Sequence, residues 1–219
     1  MSNRSNRMNL IAWSSSALLL APLLMLCVRR LDIPVAYFVR DHLFGNVHYS
    51  RLASNIPDLL LFVVLITTVV SLSLYLLRTR KGLYDATTRL EKLVAWAAPV
   101  SYLAKIALKF VFGRVNTRFW LQEPGLYGFH WFQGRQGCEG FPSGHMIVIV
   151  TLLAALWRFF PKSRPYCLLL GLSLGAALVA TNYHFLSDVI AGAYLGALVE
   201  AVVFRLLLRE PLNPGNNAL

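Results

Sequence analysis

Long runs of apolar residues, separated by short polar connections, dominate the pattern along the chain. Six runs come close to the roughly 20 residues that a helix needs to cross the hydrocarbon core of a bilayer. These runs cover residues 9–28, 57–77, 93–112, 146–160, 166–181 and 189–208. Within lipid, a single segment satisfies its own backbone hydrogen bonds only as a helix. The pattern therefore predicts an all-α integral membrane protein, a six-transmembrane-helix bundle that forms one domain over residues 1–219.

The connections between these runs define the rest of the organisation. The first run ends in Cys-Val-Arg-Arg and not in a small-residue cleavage site, so we expect it to be retained as the first helix. A long polar connection, about residues 113–141, joins the third run to the fourth, and the turn 182–188 joins the fifth to the sixth. In an alternating bundle both connections lie on one face of the membrane. The tail, about residues 211–219, is expected to be disordered.

The composition agrees with a membrane protein. Hydrophobic residues make up 57% of the chain and charged residues only 14%, whereas a soluble domain carries about 25% charged residues. The formal net charge is +11, from 21 Lys and Arg against 10 Asp and Glu. No basic stripe interleaved with aromatic residues is present, so a nucleic-acid partner is not predicted. The basic residues lie mainly in the connections, where they face the anionic headgroups of the bilayer.

The Lys and Arg residues of the connections also predict the orientation, because they are more frequent on the cytoplasmic side. With the N-terminus inside, 12 are internal, namely Arg4, Arg7, Arg78, Arg80, Lys81, Arg89, Lys92, Arg158, Lys162, Arg164, Arg205 and Arg209. The external ones are 8, namely Arg29, Arg30, Arg40, Arg51, Lys109, Arg114, Arg118 and Arg135. This bias predicts that both termini are cytoplasmic and that the long connection is external.

The three cysteines do not indicate a metal site. Cys27, Cys138 and Cys167 form no Cys-x-x-Cys pair and have no zinc-type spacing to histidine. Cys27 and Cys138 share the external side of the predicted topology, so they either form a disulfide or are two unrelated thiols, and the second alternative is favoured.

A first polar cluster follows the third apolar run. Lys105 and Lys109 are four residues apart and therefore share one face of a helix. A charge at this depth either reaches the headgroups along its aliphatic stem or lines a functional cavity. Both alternatives remain open for Lys105, and a functional role is favoured for Lys109. Arg114, Asn116 and Arg118 follow in the long connection.

A second cluster, Pro142-Ser143-Gly144-His145, stands immediately before the fourth run. Proline suits the first turn of a helix, and the Ser143 hydroxyl can bond to free backbone groups there. Gly144 allows close approach of a ligand, and the exposed N–H groups with the helix dipole favour an anion. The cluster is thus either a well-formed helix start or an anion site with His145 beside it.

A third cluster contains His184 and Asp188, which are four residues apart and lie on one helical face. A carboxylate that is bonded to one ring nitrogen fixes the tautomer and leaves the other nitrogen as a nucleophile or base. The alternative is a structural hydrogen bond at the end of a helix.

Together, the three clusters resemble the type 2 phosphatidic acid phosphatase superfamily, which includes membrane lipid phosphatases and soluble vanadium haloperoxidases. Its three motifs are Lys-x6-Arg-Pro, Pro-Ser-Gly-His and Ser-Arg-x5-His-x3-Asp. Residues 142–145 match the second motif in full, and His184 and Asp188 match the end of the third. Lys109 resembles the start of the first motif. The resemblance covers residues 105 to about 192.

Two arginines of these motifs are absent from their usual places. Counting from Lys109, the Arg-Pro of the first motif falls on Asn116 and Thr117, and the Ser-Arg of the third falls on residues 177–178, Ala-Leu. Basic residues of the long connection are the candidate substitutes for phosphate binding, namely Arg114, Arg118 and Arg135. Asn116 can still donate a hydrogen bond to phosphate.

The resemblance implies a mechanism with no metal and no other cofactor. His184, oriented by Asp188, attacks phosphorus and forms a phosphohistidine, while His145 protonates the leaving oxygen and then activates water. Lys109, the arginines of the connection and the backbone at residues 143–144, Ser-Gly, are expected to hold the phosphoryl group.

The implied substrate is the phosphate or pyrophosphate of a membrane lipid, bound at the periplasmic face of a bacterial inner membrane. Undecaprenyl pyrophosphate, phosphatidylglycerol phosphate, phosphatidic acid and lipid A phosphate are all candidates. Two alternatives remain. One is a lipid phosphotransferase of the same family, which has the same residues. The other is a non-catalytic lipid transporter, and the absence of the two motif arginines from their usual places is the feature that supports it.

Overall fold

The computed structural model describes residues 15–44, 56–132 and 137–208. Within these ranges the chain is helical, with connecting turns and one isolated antiparallel bridge between Arg114 and Phe129. The all-α prediction is therefore confirmed for the described part of the chain. The start of the first predicted helix, Arg135 and the predicted disordered tail lie outside the described residues.

The helices follow one another with short connections. Helix α1 covers residues 15–26 and continues through a π-helical turn, Cys27–Leu31, into α2 (Asp32–Val39) and a second π-helical turn, Arg40–Phe44. The later helices are α3 (Ile56–Arg80), α4 (Ala86–Phe112), the short α5 (Thr117–Gln122), α6 (Gly144–Phe159), α7 (Arg164–Ala180) and α8 (Leu186–Leu208). Single 3-10 turns lie at Pro124–Leu126 and Pro161–Ser163.

Four of the described helices are long and apolar enough to cross a bilayer, over Leu59–Arg80, Ala86–Phe112, Pro161–Ala180 and Leu186–Leu208. Helix α6 is also apolar but has only 16 residues. The first predicted span begins among residues that the structure does not describe. These observations support a helical membrane protein. That the chain crosses the membrane six times stays a prediction.

Local sequence explains where α4 begins and ends. The Asp85 carboxylate accepts a hydrogen bond from the Thr88 N–H at 2.9 Å and so caps the first turn. At the other end, Gly113 adopts a left-handed conformation with φ 53°, and its N–H donates to the Lys109 carbonyl. This ending is typical of a glycine C-cap, and it turns the chain directly into the connection that begins at Arg114.

Helices α6 and α8 pack closely because two glycines of α8 face the α6 backbone. A Cβ atom at Gly192 would lie 2.6 Å from the Ser143 carbonyl oxygen, and one at Gly196 would lie 2.6 Å from the Ile147 carbonyl oxygen. The Thr151 hydroxyl also donates to the Gly196 carbonyl at 2.9 Å. This packing holds the first turn of α6 against α8.

An ion pair joins the same two helices further along. The Arg158 guanidinium donates two hydrogen bonds to the Glu200 carboxylate, of which the Nη2–Oε2 bond is 2.8 Å. Glu200 is buried. Arg158 lies 13 residues after His145 on α6, which corresponds to about 20 Å along the helix axis.

Candidate active site

The second and third polar clusters meet at one end of the bundle. The Ser143 N–H, at the start of α6, donates to the Asp188 carbonyl in the first turn of α8 at 3.0 Å. The last turns of α4 reach the same place, since the positive charge of Lys109 acts on both His145 and His184. The structure therefore brings together Lys109, His145, His184 and Asp188, as the sequence predicts.

The two histidines face each other. The ring centroids of His145 and His184 are 6.5 Å apart, and the Tyr183 ring lies beside both, at 5.5 Å and 5.0 Å. A nucleophile stands about 3–3.5 Å from the atom that it attacks, and a general acid lies about 2.6–3.2 Å from the oxygen that it protonates. Two rings at this separation can therefore act from opposite sides of a single phosphoryl group.

Asp188 lies behind His184. The distance from His184 Nδ1 to Asp188 Oδ2 is 3.7 Å, which is longer than a hydrogen bond. Oδ2 accepts the Phe185 N–H at 3.0 Å, and no acceptor among the described residues bonds to Nδ1. The contact is thus electrostatic in this state, and catalytic hydrogen bonds are often this long before substrate binds.

Burial lowers the pKa of His184, and Lys109 lowers it further, while the Asp188 carboxylate acts in the opposite direction. Burial dominates, because it disfavours the charged imidazolium. The ring is therefore neutral near pH 7, which is the protonation state that a nucleophile requires.

The Pro-Ser-Gly-His turn packs against α4. A Cβ atom at Gly144 would lie 2.8 Å from the stem of Lys105, so glycine is what lets these segments approach. Lys105 is buried, with Nζ 4.4 Å above the Tyr102 ring, and thus does not extend to the surface. The Ser143 hydroxyl is buried and has no hydrogen-bond partner among the described residues.

Arg114 is completely buried, although the sequence predicts it as a phosphate ligand. Nη1 donates to Asp188 Oδ1 at 2.6 Å and to the Ser187 hydroxyl at 2.6 Å. Nη2 donates to Asp32 Oδ2 at 2.7 Å and to the Tyr127 hydroxyl at 3.1 Å. Both terminal nitrogens are thus occupied by protein groups, and the geometry gives no support to a phosphate contact.

The other two described substitutes differ in their surroundings. The Asn116 side-chain oxygen accepts the Phe119 N–H at 2.8 Å, so this residue caps α5. The Arg118 guanidinium donates to the Thr181 carbonyl at 3.1–3.3 Å and lies 5.0 Å above the Tyr183 ring. Of the two, Arg118 contacts Tyr183, whose ring lies beside both histidines.

Asp32 is the functional candidate that sequence reasoning missed. It is 1% exposed and contacts Arg114 and Ser187. A carboxylate at the end of an apolar run, beside Arg29 and Arg30, looks like an interfacial charge. The signal that could have found it is a lone acidic residue between Leu31 and Ile33, in a segment that continues as helix.

Among the described residues, neither a disulfide nor a cluster of metal-ligating side chains is found. Cys27, Cys138 and Cys167 are buried, and no disulfide joins any two of them within the described residues. Across the described ranges, no three His, Cys, Asp or Glu side chains are grouped as metal ligands would be.

A cavity of about 750 Å³ lies between α6, α7 and α8. Its lining is mostly apolar and includes Met146, Leu153, Gly171, Leu172 and Ala193. The cavity is not at the histidines, but it begins at Met146, the residue next to His145.

Comparisons with known proteins bear on the family of the chain. The family model of the PAP2 superfamily matches residues 91–211, which confirms the resemblance of the motifs. The lipid A 1-phosphatase of Rhizobium johnstonii is 35% identical over 100 residues, which are 44% of this chain and 41% of that protein. The lipid A 1-phosphatase of Rhizobium etli is 33% identical over 100 residues, covering 44% and 43%. The matched stretch spans less than half of these curated relatives. No solved structure matches the chain.

Proposed function

The chain belongs to the PAP2 superfamily, and from this premise we propose that it hydrolyses the phosphate of a membrane lipid through a phosphohistidine intermediate, without a metal. The observation that carries the proposal is the facing pair of His145 and His184, 6.5 Å apart, with Asp188 behind the second ring. A single phosphoryl group fits between a nucleophile and an acid in this arrangement.

In the first step, a ring nitrogen of His184 forms a bond to phosphorus while the bond from phosphorus to the lipid oxygen breaks. The negative charge of the bound phosphate favours the protonated form of His145, which donates its proton to that oxygen, and the Asp188 carboxylate offsets the positive charge that develops on His184. In the second step, His145 takes a proton from water, and the water oxygen attacks phosphorus. Inorganic phosphate leaves and both histidines return to their starting states.

The phosphoryl oxygens need positive charge and hydrogen-bond donors. Lys109 supplies charge at the histidine pair, and the first N–H groups of α6 supply donors with the helix dipole. The Ser143 hydroxyl is buried and has no hydrogen-bond partner in the part of the chain that the structure describes, which is costly unless a ligand satisfies it. Arg118, beside Tyr183, is the arginine that we assign to the cradle.

A lipid is the substrate class that the surroundings favour. The site lies at the ends of helices that are long enough to span a bilayer, and a mostly apolar cavity, which Met146 lines, lies between α6, α7 and α8. An acyl chain can occupy this cavity while its phosphate lies at the histidines. Among the four candidate lipids, we place the lipid A phosphate first, because the relatives are named lipid A 1-phosphatases. We further propose that the site faces the periplasm of a bacterial inner membrane, with both termini cytoplasmic.

The test is phosphate release by the detergent-purified full chain from lipid A, undecaprenyl pyrophosphate, phosphatidylglycerol phosphate and phosphatidic acid. We expect release from lipid A, persistence of that release in EDTA, and none from the His184→Ala variant. Dependence on added magnesium would overturn the mechanism. Transfer of phosphate to an added lipid acceptor in place of water would identify a phosphotransferase, and binding of these lipids with no turnover would identify a transporter.

A further inference from the structure

Four buried side chains form a continuous polar network behind His184. Arg114 joins Asp188, at 2.6 Å, to Asp32, at 2.7 Å. Asp32 also accepts the Ser187 N–H at 3.0 Å and the Ser187 hydroxyl proton. The network therefore connects the start of α2 to the first turn of α8, which carries the carboxylate behind the proposed nucleophile.

The network is sealed from solvent. The side chains of Arg114, Asp32 and Asp188 are at most 1% exposed. The guanidinium carbon lies 4.6 Å from the Phe185 ring centroid and 5.1 Å from that of Phe129. In such surroundings charges interact strongly, and a charge that loses its partner is severely destabilising.

The charges of the network do not cancel. Two carboxylates surround one guanidinium, which leaves one net negative charge. If Arg114 faced Asp188 alone, its positive charge would neutralise the carboxylate that His184 needs. Because Asp32 takes the second terminal nitrogen of Arg114, the negative charge beside His184 is kept.

We infer that Asp32 is a positioning residue of the active site, which acts through Arg114 and Ser187 to hold Asp188 in place and to preserve its negative charge for His184. This inference rests on the proposed function, in which His184 is the nucleophile. Asp32 lies in a helix that precedes residues 91–211, the part of the chain that the family model matches. The first helical segment is therefore part of the catalytic apparatus and more than a membrane anchor.

Charged and titratable groups face His184 from every neighbouring element. Asp188 faces it from α8, Lys109 from α4 and His145 from α6, and Tyr183 precedes it in the connecting turn. Asp188 is the negative group among these neighbours. A change in the net charge of the network is therefore expected to reach His184 through Asp188.

Asp32→Asn removes one negative charge and keeps the size of the side chain. The network becomes neutral, so the imidazolium form of His184 loses stabilisation and its pKa falls below that of the unsubstituted protein. The positive charge that develops on the ring during attack also loses stabilisation, so kcat falls while KM changes little. Asp32→Glu keeps the charge, so the pKa of His184 should stay near its original value even where the longer side chain lowers kcat.

The matched control is Glu200→Gln, which weakens the pair between the buried Glu200 and the partly exposed Arg158, about 20 Å away along α6. The measurements are thermal stability, kcat and KM for lipid phosphate hydrolysis, and titration of the His184 ring by ¹⁵N NMR, assigned by its loss in His184→Gln. For Asp32→Asn we expect kcat to fall about 10- to 100-fold, by analogy with the loss of outer-shell partners that orient metal ligands, with a lower titration midpoint. For Glu200→Gln we expect lower thermal stability and an unchanged midpoint.

The inference is overturned if Asp32→Asn keeps both its kcat and its titration midpoint, or if Glu200→Gln shifts the midpoint equally. If Asp32→Asn does not fold, Asp32→Glu provides the test. A lower titration midpoint in Asp32→Glu, which keeps the negative charge, would also overturn the inference. Absence of turnover in the unsubstituted protein would instead contradict the proposed function, and the titration would still decide whether Asp32 controls the charge at His184.

Discussion

Arg118 and Arg114 show that two arginines four residues apart can have opposite surroundings. Arg114 is enclosed by carboxylates at the base of the site, whereas Arg118 lies on the Tyr183 ring and donates to a backbone carbonyl. A guanidinium that donates to a backbone carbonyl can share that contact with a phosphoryl oxygen, because no buried carboxylate is left unpaired. A guanidinium that bridges two buried carboxylates, as Arg114 does, cannot bind phosphate without leaving both carboxylates unpaired.

The expected outcomes for these two residues therefore differ in kind. Arg118→Ala should lower kcat/KM, with a loss of transition-state stabilisation of about 2–4 kcal/mol, the size of a lost charge-stabilising donor. Thermal stability should change little. Arg118→Lys should recover part of this loss, because an ammonium group cannot make the planar fork. Arg114→Ala should instead reduce the free energy of unfolding by about 3–5 kcal/mol, since it leaves buried carboxylates unpaired. Normal turnover in Arg118→Ala would contradict the assignment to the phosphate cradle.

The protonation of His184 gives a second residue-scale prediction. Its pKa is lowered by burial, so the neutral nucleophile persists below the ordinary histidine pKa of about 6.5. As the pH falls through the lowered pKa, the ring becomes protonated and the rate declines. The acid limb of a kcat/KM profile should thus have its midpoint below about 6.5, since kcat/KM reports the free enzyme. A midpoint above this value would show that Asp188 outweighs burial.

At the scale of elements, Gly171 of α7 lines the cavity between α6, α7 and α8, so a larger side chain at this position would reduce the cavity volume. A Cβ atom at Gly171 would meet only the Leu153 side chain, at an ordinary contact distance of 3.7 Å. A leucine at this position can therefore be accommodated and would occupy the space that we assign to an acyl chain. Gly171→Leu should raise KM several-fold for long-chain lipid phosphates.

The same substitution should leave the hydrolysis of a short-chain, water-soluble phosphate ester unchanged, because the histidines are not touched. Leu170→Phe is the control, since it adds bulk to an exposed position of the same helix. Equal effects of Gly171→Leu on both substrates would indicate a distorted site and would count against an acyl chain in this cavity.

The elements also show how far the sequence predicts this protein. The predicted run 189–208 corresponds to α8, which begins three residues earlier, at Leu186, and 146–160 corresponds to α6. The runs locate the helices because burial in lipid demands uniformly apolar sequence. Helix α4 extends seven residues before its predicted start, since Asp85 caps a polar first turn that a hydrophobicity pattern cannot include.

The contacts inside the site are only partly predictable from local sequence. His184 and Asp188 are found from the sequence because a spacing of four places them on one helical face. Arg114 and Asp32 are separated by 82 positions, and no local periodicity relates them. Only the packing of α2 against the first turn of α8 reveals that Arg114 faces inward, toward carboxylates, and not toward substrate.

For the whole molecule, the question is which side of the membrane the histidine end of the helix bundle faces. The C-terminal end of α4 and the N-terminal ends of α6 and α8 lie at this end, so the turns after α3 and after α6 lie at the other. These two turns contain Lys81 and Lys162, and they are flanked by Arg78 and Arg80 at the end of α3 and by Arg164 at the start of α7. Such a concentration of positive charge is typical of the cytoplasmic side.

Labelling of single cysteines in the full chain tests this orientation. Arg80 and Lys162 are exposed, whereas the three native cysteines are buried, so new thiols at the first two positions can be distinguished from the background. A membrane-impermeant maleimide should label Gln133→Cys, in the long connection, from outside intact spheroplasts. It should label Arg80→Cys and Lys162→Cys only after permeabilisation, because the basic turns resist translocation. The reverse pattern would place the histidines in the cytoplasm, and a phosphatase oriented that way would act on lipids before their export.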